Sequence, residues 1–237
     1  MTETFLVLGT GTGVGKTWMG AAVLAAFRER GLRPLGLKPA ESGLAETPAG
    51  ASDWELLGQA TGVPCAPLHA FGEPISPHLA ARREGREIRL PELREWVEAR
   101  RAQHCPGVLW LESAGAAFSP LGPGLCNADL VALFPEARLL LVAPDSLGVL
   151  HDVTATLLAL QQRGLRSPER VILSGARPPD ASTGTNAGEL SGVVFPQLGG
   201  AAPSEKAVSV LVRGGDGREL ARALLSSGST GGASGGF

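Results

Sequence analysis

The sequence predicts an α/β fold: a doubly wound, mostly parallel sheet flanked by helices. Three observations carry this expectation. Apolar runs bounded by Gly or Pro recur along the chain, and they are continuously hydrophobic rather than alternating, as strands covered on both faces must be. Helical spacing of apolar residues fills the intervals between them. The length, 237 residues, suits one fairly large domain with a buried core.

In order, the expected strands are FLVLG (5–9), PLGLKP (34–39), GVLWLE (107–112), RLLLVAP (138–144), RVILSG (170–175) and SGVVFP (191–196). After the first, GKTWMGAAVLAAFRERG turns Met19, Val23, Leu24, Ala26 and Phe27 toward one side and stops at Gly31. LPELREWVEARRAQH puts Leu93, Trp96 and Val97 at helical spacing. HDVTATLLALQQRG does the same with Val153, Leu157, Leu158 and Leu160 before Gly164. Residues 177–189, RPPDASTGTNAGE, are polar and rich in turn formers. The expected organisation is a single domain over 1–226 followed by a flexible Gly/Ser-rich tail, 227–237, too poor in apolar groups to order itself.

A net charge of −2 with 19% charged residues leaves no basic footprint for nucleic acid or an anionic membrane. Cys65, Cys105 and Cys126 are an odd number without close pairing, which argues against a disulfide framework and a thiolate zinc site. MTETFLVLG has no basic region before its apolar run. No uninterrupted apolar segment approaches the roughly 18 residues that span a bilayer. A soluble cytoplasmic protein is expected.

The first strand leads into GTGTGVGKTW, residues 9–18. A strict phosphate-loop pattern requires Gly five places before the Gly of Gly-Lys-Thr, and that place holds Thr10; Gly9 lies one place further out. Strand, glycine-rich turn, Gly-Lys-Thr and helix nevertheless follow in the order a P-loop nucleotide-binding fold needs. Amides at a helix start favour phosphate. Gly11, Gly13 and Gly15 let the backbone approach the ligand with positive φ. Lys16 can reach the β- and γ-phosphates, and the Thr17 hydroxyl can ligate Mg²⁺.

Strand order puts other chemistry on the same sheet edge. Lys38, in GLKPAESG, can hold an anionic reactant against the γ-phosphate. Asp53, in ASDWELL, can cap a helix or hold a metal. Glu112 ends its strand where an acid can serve Mg²⁺. Trp18, Trp54, Trp96 and Trp110 read most simply as packing residues, and His78 as a structural hydrogen-bonding residue.

Together these segments resemble the dethiobiotin synthetases, ATP-dependent carboxylases that close the ureido ring in biotin synthesis. The family's loop, roughly Gly-Thr-Asp-Thr-x-Val-Gly-Lys-Thr, explains the longer spacing. This chain keeps Gly9, Thr10, Thr12, Val14, Gly15, Lys16 and Thr17, with Gly11 in place of the Asp. GLKPAESG resembles the Lys-Pro-x-x-Ser-Gly element. EPISPHLAARREGREI (73–88) resembles a Pro-x-Ser-Pro-His-x-Ala segment on the substrate side, and LESAGAAFSPL resembles a Glu-Gly-Ala-Gly-Gly loop. These matches cover about the first 125 residues.

Later matches are looser. Ser174 and Gly175 stand where the family carries a purine-contacting Asn. LGVLHD (147–152) places His151 where another Asn would be, and SGVVFPQL resembles a strand whose end packs near the base.

The resemblance implies a set of roles. Lys38, Lys16 and Thr12 would act in catalysis, and Ser42, Pro77 and His151 would bind substrate. Gly13, Val14, Gly15, Lys16, Thr17, Trp18, Asp53, Glu112, Ser113, Ala114, Gly115, Ser174, Gly175, Pro196, Gln197 and Leu198 would surround ATP. Thr17, Asp53 and Glu112 would hold Mg²⁺. The small molecules would be 7,8-diaminopelargonate, CO₂ and ATP, in a homodimer whose partner subunit supplies the helix start in LGVLHD. The alternatives are a partition or cell-division-site regulatory ATPase, a cobyrinate-amidating ligase, and a non-catalytic nucleotide-binding module. The regulatory ATPases carry a second lysine near the loop start, where this chain has Thr10 and Gly11.

Overall fold

The computed structural model describes residues 2–175, 177–203, 208–212 and 214–226; the expected tail, 227–237, lies outside them. Strand β1 (Glu3–Gly9) runs into helix α1 (Lys16–Glu29), then β2 (Pro34–Leu37), β3 (Ala40–Glu41) and α2 (Asp53–Thr61). The chain continues through β4 (His69–Ala70), α3 (Pro77–Arg83), α4 (Leu90–His104), β5 (Val108–Glu112), β6 (Pro120–Gly122) and β7 (Leu125–Cys126). A short α5 (Leu130–Leu133) precedes β8 (Arg138–Pro144), α6 (Val149–Gln162) and β9 (Arg170–Ser174). The remaining elements are α7 (Asn186–Glu189), α8 (Phe195–Leu198), β10 (Val208–Leu211) and α9 (Arg218–Ser226).

Six strands form the main sheet in the order β10-β9-β8-β1-β5-β2, and every pairing within it is parallel. The central strand shows why continuous hydrophobicity was the informative signal. Phe5, Leu6, Val7 and Leu8 are all 0% exposed. Phe5 and Val7 pack with Met19, Val23 and Phe27 of α1 and with Leu220 and Leu224 of α9. Leu6 and Leu8 pack on the other face with Leu93 and Val97 of α4 and Val153 and Leu157 of α6. Each such side chain contributes about 1.5–3 kcal/mol on burial, so losing either helical layer would uncover half of β1. From β1 the chain winds outward to β2, returns to β5, and then crosses to β8. The turn after β1 therefore lies where the winding reverses, at the carboxyl edge.

Two expectations are corrected. SGVVFP is not a strand: Leu190–Val194 form a π-helical turn and Phe195–Leu198 form α8. Leu190 and Phe195 are buried while Ser191, Gly192 and Val193 are exposed, the one-sided burial of a helix rather than of a covered strand. The sixth strand is β10 instead. It is a sheet edge with Val210 41% exposed, and so lacks the fully apolar run that marks the inner strands. On α6, Leu158 is 44% exposed and stands off the buried stripe. The thiols of Cys65, Cys105 and Cys126 are all free. No described helix is long and apolar enough to cross a membrane.

Past Lys38 the chain forms a two-stranded parallel ribbon, with Ala40 of β3 paired to His69 of β4 and the His69 amide bonded to Pro39 O at 3.0 Å. His69 is 5% exposed, its ring stacked on Phe71 at 6.1 Å, with Arg86 Nη2 3.4 Å from Nδ1. Burial, then the Arg86 charge, lowers its pKa, against a smaller opposing pull from Glu92. The folded state thus favours the neutral ring. Its stabilising contribution is complete above the unfolded pKa of about 6.5 and fades as pH falls below that value toward the folded pKa. We expect the Tm of the wild type to fall between about pH 7 and 5 more steeply than that of His69→Phe; parallel curves would remove His69 from the account.

Helix α2 sits close on β2 because Gly36 has no side chain. A methyl there would lie 2.9 Å from Leu57 Cβ and 3.1 Å from Leu24 Cδ1. Neither atom has room to retreat, since Leu57 and Leu24 are both 0% exposed. Gly36→Ala is expected to cost about 1–3 kcal/mol, which thermal unfolding would read as roughly 2–4 °C per kcal/mol. An unchanged Tm would show that α2 can shift freely.

Candidate active site

The backbone from β1 into α1 makes the floor of the site. Gly13 has φ 67° and Gly15, the residue before α1, has φ 90°; these are the two loop glycines held in the left-handed region, and Gly11 is not, contrary to expectation. Gly11 matters through space instead, because a Cβ there would lie 3.1 Å from Val14 Cγ1. No side chain caps α1 and no acid lies in its first turn, so its leading amides remain available to an anion.

Around this floor is a cavity of about 680 Å³, lined by Thr12, Gly13, Gly15, Lys16, Thr17 and Trp18 from the first turn. Lys38, Ser42, Asp53, Pro77, Glu112, Ala114 and Gly115 come to it from β2, α2, α3 and the end of β5. Thirteen of the residues expected at the site therefore meet in one cleft. The cleft also takes in residues sequence reading did not assign: Glu41, Ala21, Leu56, Pro74, Ile75, Ser76 and Ser119. Glu41 is the one acid among them, three residues after Lys38, and nothing in its local sequence singled it out.

Charge is concentrated at the cleft floor. Lys38 is 5% exposed and Glu112 is 0% exposed. The Lys38 ammonium donates to Glu112 Oε1 at 3.0 Å and makes a short contact with Asp53 Oδ2. Thr17 Oγ1 donates to the same Glu112 oxygen at 2.6 Å. Burial works against the Lys38 charge, but Glu112, Asp53 and Glu41 outweigh it and raise its pKa. Burial likewise works against the Asp53 carboxylate, and Lys38, with help from Thr17, holds its pKa below the usual range.

Lys16 Nζ bends to the Gly115 carbonyl at 2.7 Å. Burial lowers its pKa to about 8, with Glu112 opposing and Lys38 adding to the shift. The Gly115 carbonyl is held in place from behind, because Asn127 Nδ2 bonds the carbonyls of Ala114 and Ala116 on either side.

Thr17, Asp53 and Glu112 offer only hard oxygen donors, the set Mg²⁺ takes together with phosphate oxygens and water. Glu112 Oε2 fits that reading: it is buried and has no hydrogen-bond partner among the described residues. No cluster of three or more His, Cys, Asp or Glu forms a candidate metal site among the described residues.

Other expected residues lie elsewhere. Ser174, 1% exposed, gives its hydroxyl to the Val14 carbonyl, its own carbonyl accepts from the Asp145 amide at 2.9 Å, and the Gly175 amide donates to Leu211 O at 2.8 Å. The hydroxyl ties β9 to the phosphate loop, while the backbone groups tie it to the chain after β8 and to β10. Ser113, 1% exposed, and Val14, also 1% exposed, back the cleft without lining it. Pro196 and Gln197 are exposed on α8, and Leu198 is half-buried there; none reaches the cavity. Their expected place at a strand end disappears because the segment is helical. His151 is exposed on the first turn of α6, beside an N-terminus where Asp180 Oδ2 accepts from the Leu147 amide at 2.8 Å. His78 Nδ1 lies 2.9 Å from Ser76 Oγ, a bond within its own helix start.

Comparison with known proteins fits this geometry. A family model described as an AAA domain matches residues 3–209. The ATP-dependent dethiobiotin synthetase of Anaeromyxobacter dehalogenans is 37% identical over 194 residues, covering 80% of this chain and 84% of the relative. The same enzyme from a Caulobacter species is 34% identical, covering 73% of this chain and 77% of the relative. Among solved structures, the nickel complex of HypB from Helicobacter pylori has a TM-score of 0.51 at 15% identity, over 100% of this chain and 92% of that one. Chloroplast FtsY from Physcomitrella patens has a TM-score of 0.52 at 15% identity, over 94% of this chain and 65% of that one. The two solved structures share the fold. With the two lysines of GTGVGKT and GLKP and the carboxylate of LWLE brought together in one cleft, and with such identity over most of both chains, the chain belongs to the dethiobiotin synthetase family.

Proposed function

We propose that this chain is an ATP- and Mg²⁺-dependent ligase that carboxylates 7,8-diaminopelargonate and closes it to dethiobiotin. The observation that carries the reading is the convergence of Lys16, Lys38, Thr17, Asp53 and Glu112 on one cleft of about 680 Å³. In the proposed reaction one amine of the diamine adds to CO₂ and loses a proton, giving a carbamate. A carbamate oxygen then attacks the γ-phosphorus and ADP leaves. The second amine attacks the resulting carbonyl and phosphate leaves, closing the ring.

Phosphoryl transfer of this kind requires placement and charge neutralisation rather than covalent help. The α1 amides and Lys16 would hold the phosphates. Lys38 would pair the carbamate with the γ-phosphate, releasing the Asp53 carboxylate as it does so. Thr12 and Ser42, both on the cavity wall, would hydrogen-bond the carbamate. Mg²⁺, held by Thr17, Asp53 and Glu112, would neutralise phosphate charge when bound. A second subunit would bring the start of its α6, with His151, to the substrate carboxylate. Leu147 at that helix start is 83% exposed, which supports a surface that a partner copy covers.

The test is product analysis with the diamine, bicarbonate and MgATP. Dethiobiotin is expected, whereas a regulatory ATPase would give only ADP and phosphate. Lys16→Ala and Lys38→Ala should each lower kcat by about 10²–10³, the scale of losing a charge partner in the transition state. Lys38→Ala should spare ATP affinity better than Lys16→Ala in calorimetric titration; equal losses would sink this division of labour.

Base selection follows from the Ser174 contact. With its hydroxyl committed to Val14, no side chain at that position is free to reject the wrong base, and discrimination weakens when no buried group is left unpaired. We expect kcat/KM for GTP and CTP within about a hundredfold of that for ATP, a gap under roughly 2.7 kcal/mol. A larger preference would place base recognition on other residues.

A further inference from the structure

We infer that Glu41 is a positioning residue for the phosphoryl-transfer site, because its carboxylate grips the first turn of α2 and so sets where Asp53 stands beside Lys38. The inference rests on the reading above, in which Asp53 and Lys38 serve that site. Glu41 is 6% exposed and lies on the cavity wall. Its Oε1 accepts from the Asp53 amide at 2.7 Å, and its Oε2 accepts from the Trp54 amide at 3.1 Å.

This grip is not the ordinary closure of a helix end. Helix α2 already has a local one: Ser52 and Glu55 form a capping box, with the Ser52 amide donating to Glu55 at 3.1 Å. Glu41 comes from another element, β3, only three residues after Lys38. Its two oxygens therefore lock the amides of Asp53 and Trp54 to the stretch of chain that carries Lys38. A one-point contact would let the first turn rotate, while a two-point contact fixes both its distance and its twist. Asp53 and Lys38 are then held in one frame, and a displacement of about 1 Å at such a site is costly to catalysis.

The geometry calls for an acid. Both Glu41 oxygens accept from N–H groups, whereas Gln at the same place offers one oxygen and turns an NH₂ toward the other N–H. Glu41→Gln thus keeps the shape and breaks half of the grip.

The experiment compares wild type, Glu41→Gln and Ser52→Ala, the last weakening the same helix end without touching Glu41. Mn²⁺ affinity of the ADP complex is read by electron paramagnetic resonance, metal-free ADP affinity by calorimetry, and kcat and KM by assay with the diamine. Glu41→Gln is expected to lose about ten-fold or more in Mn²⁺ affinity, as outer partners of a metal site do. Its kcat should fall in step, while metal-free ADP affinity and KM for the diamine stay near wild type. Ser52→Ala should lower Tm yet leave Mn²⁺ affinity near wild type. If Glu41→Gln is too unstable to assay, Glu41→Asp keeps the charge but shortens the reach, and the same loss is expected. Wild-type Mn²⁺ affinity in the Glu41 variants, or an equal loss in Ser52→Ala, overturns the inference. A wild type that makes no dethiobiotin would refute the proposed reaction, while the Mn²⁺ comparison would still judge Glu41.

Discussion

One buried ammonium organises the cleft. Lys38 leaves the end of β2 and meets Asp53 at the start of α2 and Glu112 at the end of β5, so three elements converge on a single charge. A buried cation is costly unless it is paired, and removing one partner of such a set leaves an uncompensated charge. The packing beneath agrees with this requirement. Gly36 lets α2 lie close to β2, and β2 pairs directly with β5, so all three carriers are neighbours before any side chain is considered. The electrostatics of the site and the packing of one sheet edge are therefore the same constraint seen at two scales.

The two lysines of the cleft are in opposite electrostatic conditions. Lys38 sits among carboxylates, and its charge is strengthened despite burial. Lys16 has a carbonyl as its nearest partner, and burial brings its pKa down to about 8. An ammonium with so little compensation gains much from an incoming phosphate, whereas one already paired must exchange partners.

What the sequence made legible follows from distance along the chain. The phosphate loop is contiguous, so the order of strand, glycine-rich turn, Gly-Lys-Thr and helix pointed to Lys16 and Thr17 although the strict spacing fails, while the positive φ expected at Gly11 is found only at Gly13 and Gly15. Lys38 and Glu112 were legible because each stands at the end of a fully apolar, buried strand, β2 and β5, and parallel topology puts such ends on one edge. Glu41 was not, since its role depends on a helix start 12 residues away that folds back over it. Ser174 was at the foreseen edge, yet only the tertiary structure shows its hydroxyl turned to Val14. SGVVFP failed for another reason: a short apolar run has no periodicity to separate a strand from a half-buried helix. The sixth strand, β10, at the edge opposite β2, hid behind its own exposure.

The two faces of the sheet have different histories during synthesis. Helix α1 is made early, but part of its cover is α9, whose Leu220 and Leu224 share a cluster with Val23 and Phe27. The join is tight, for a Cβ on Gly217 would lie 2.6 Å from the carbonyl carbon of Ala22. Some two hundred residues separate the two helices, Lys16–Glu29 and Arg218–Ser226. Until the later one emerges from the ribosome, the helix behind the phosphate loop keeps an apolar flank open to solvent, and central β1 waits for β8 as well. Long-range parallel pairings of this kind close slowly and leave sticky intermediates. The nascent chain thus carries its nucleotide loop long before it has a finished wall behind it, and in that interval its open apolar flank is the surface most exposed to aggregation.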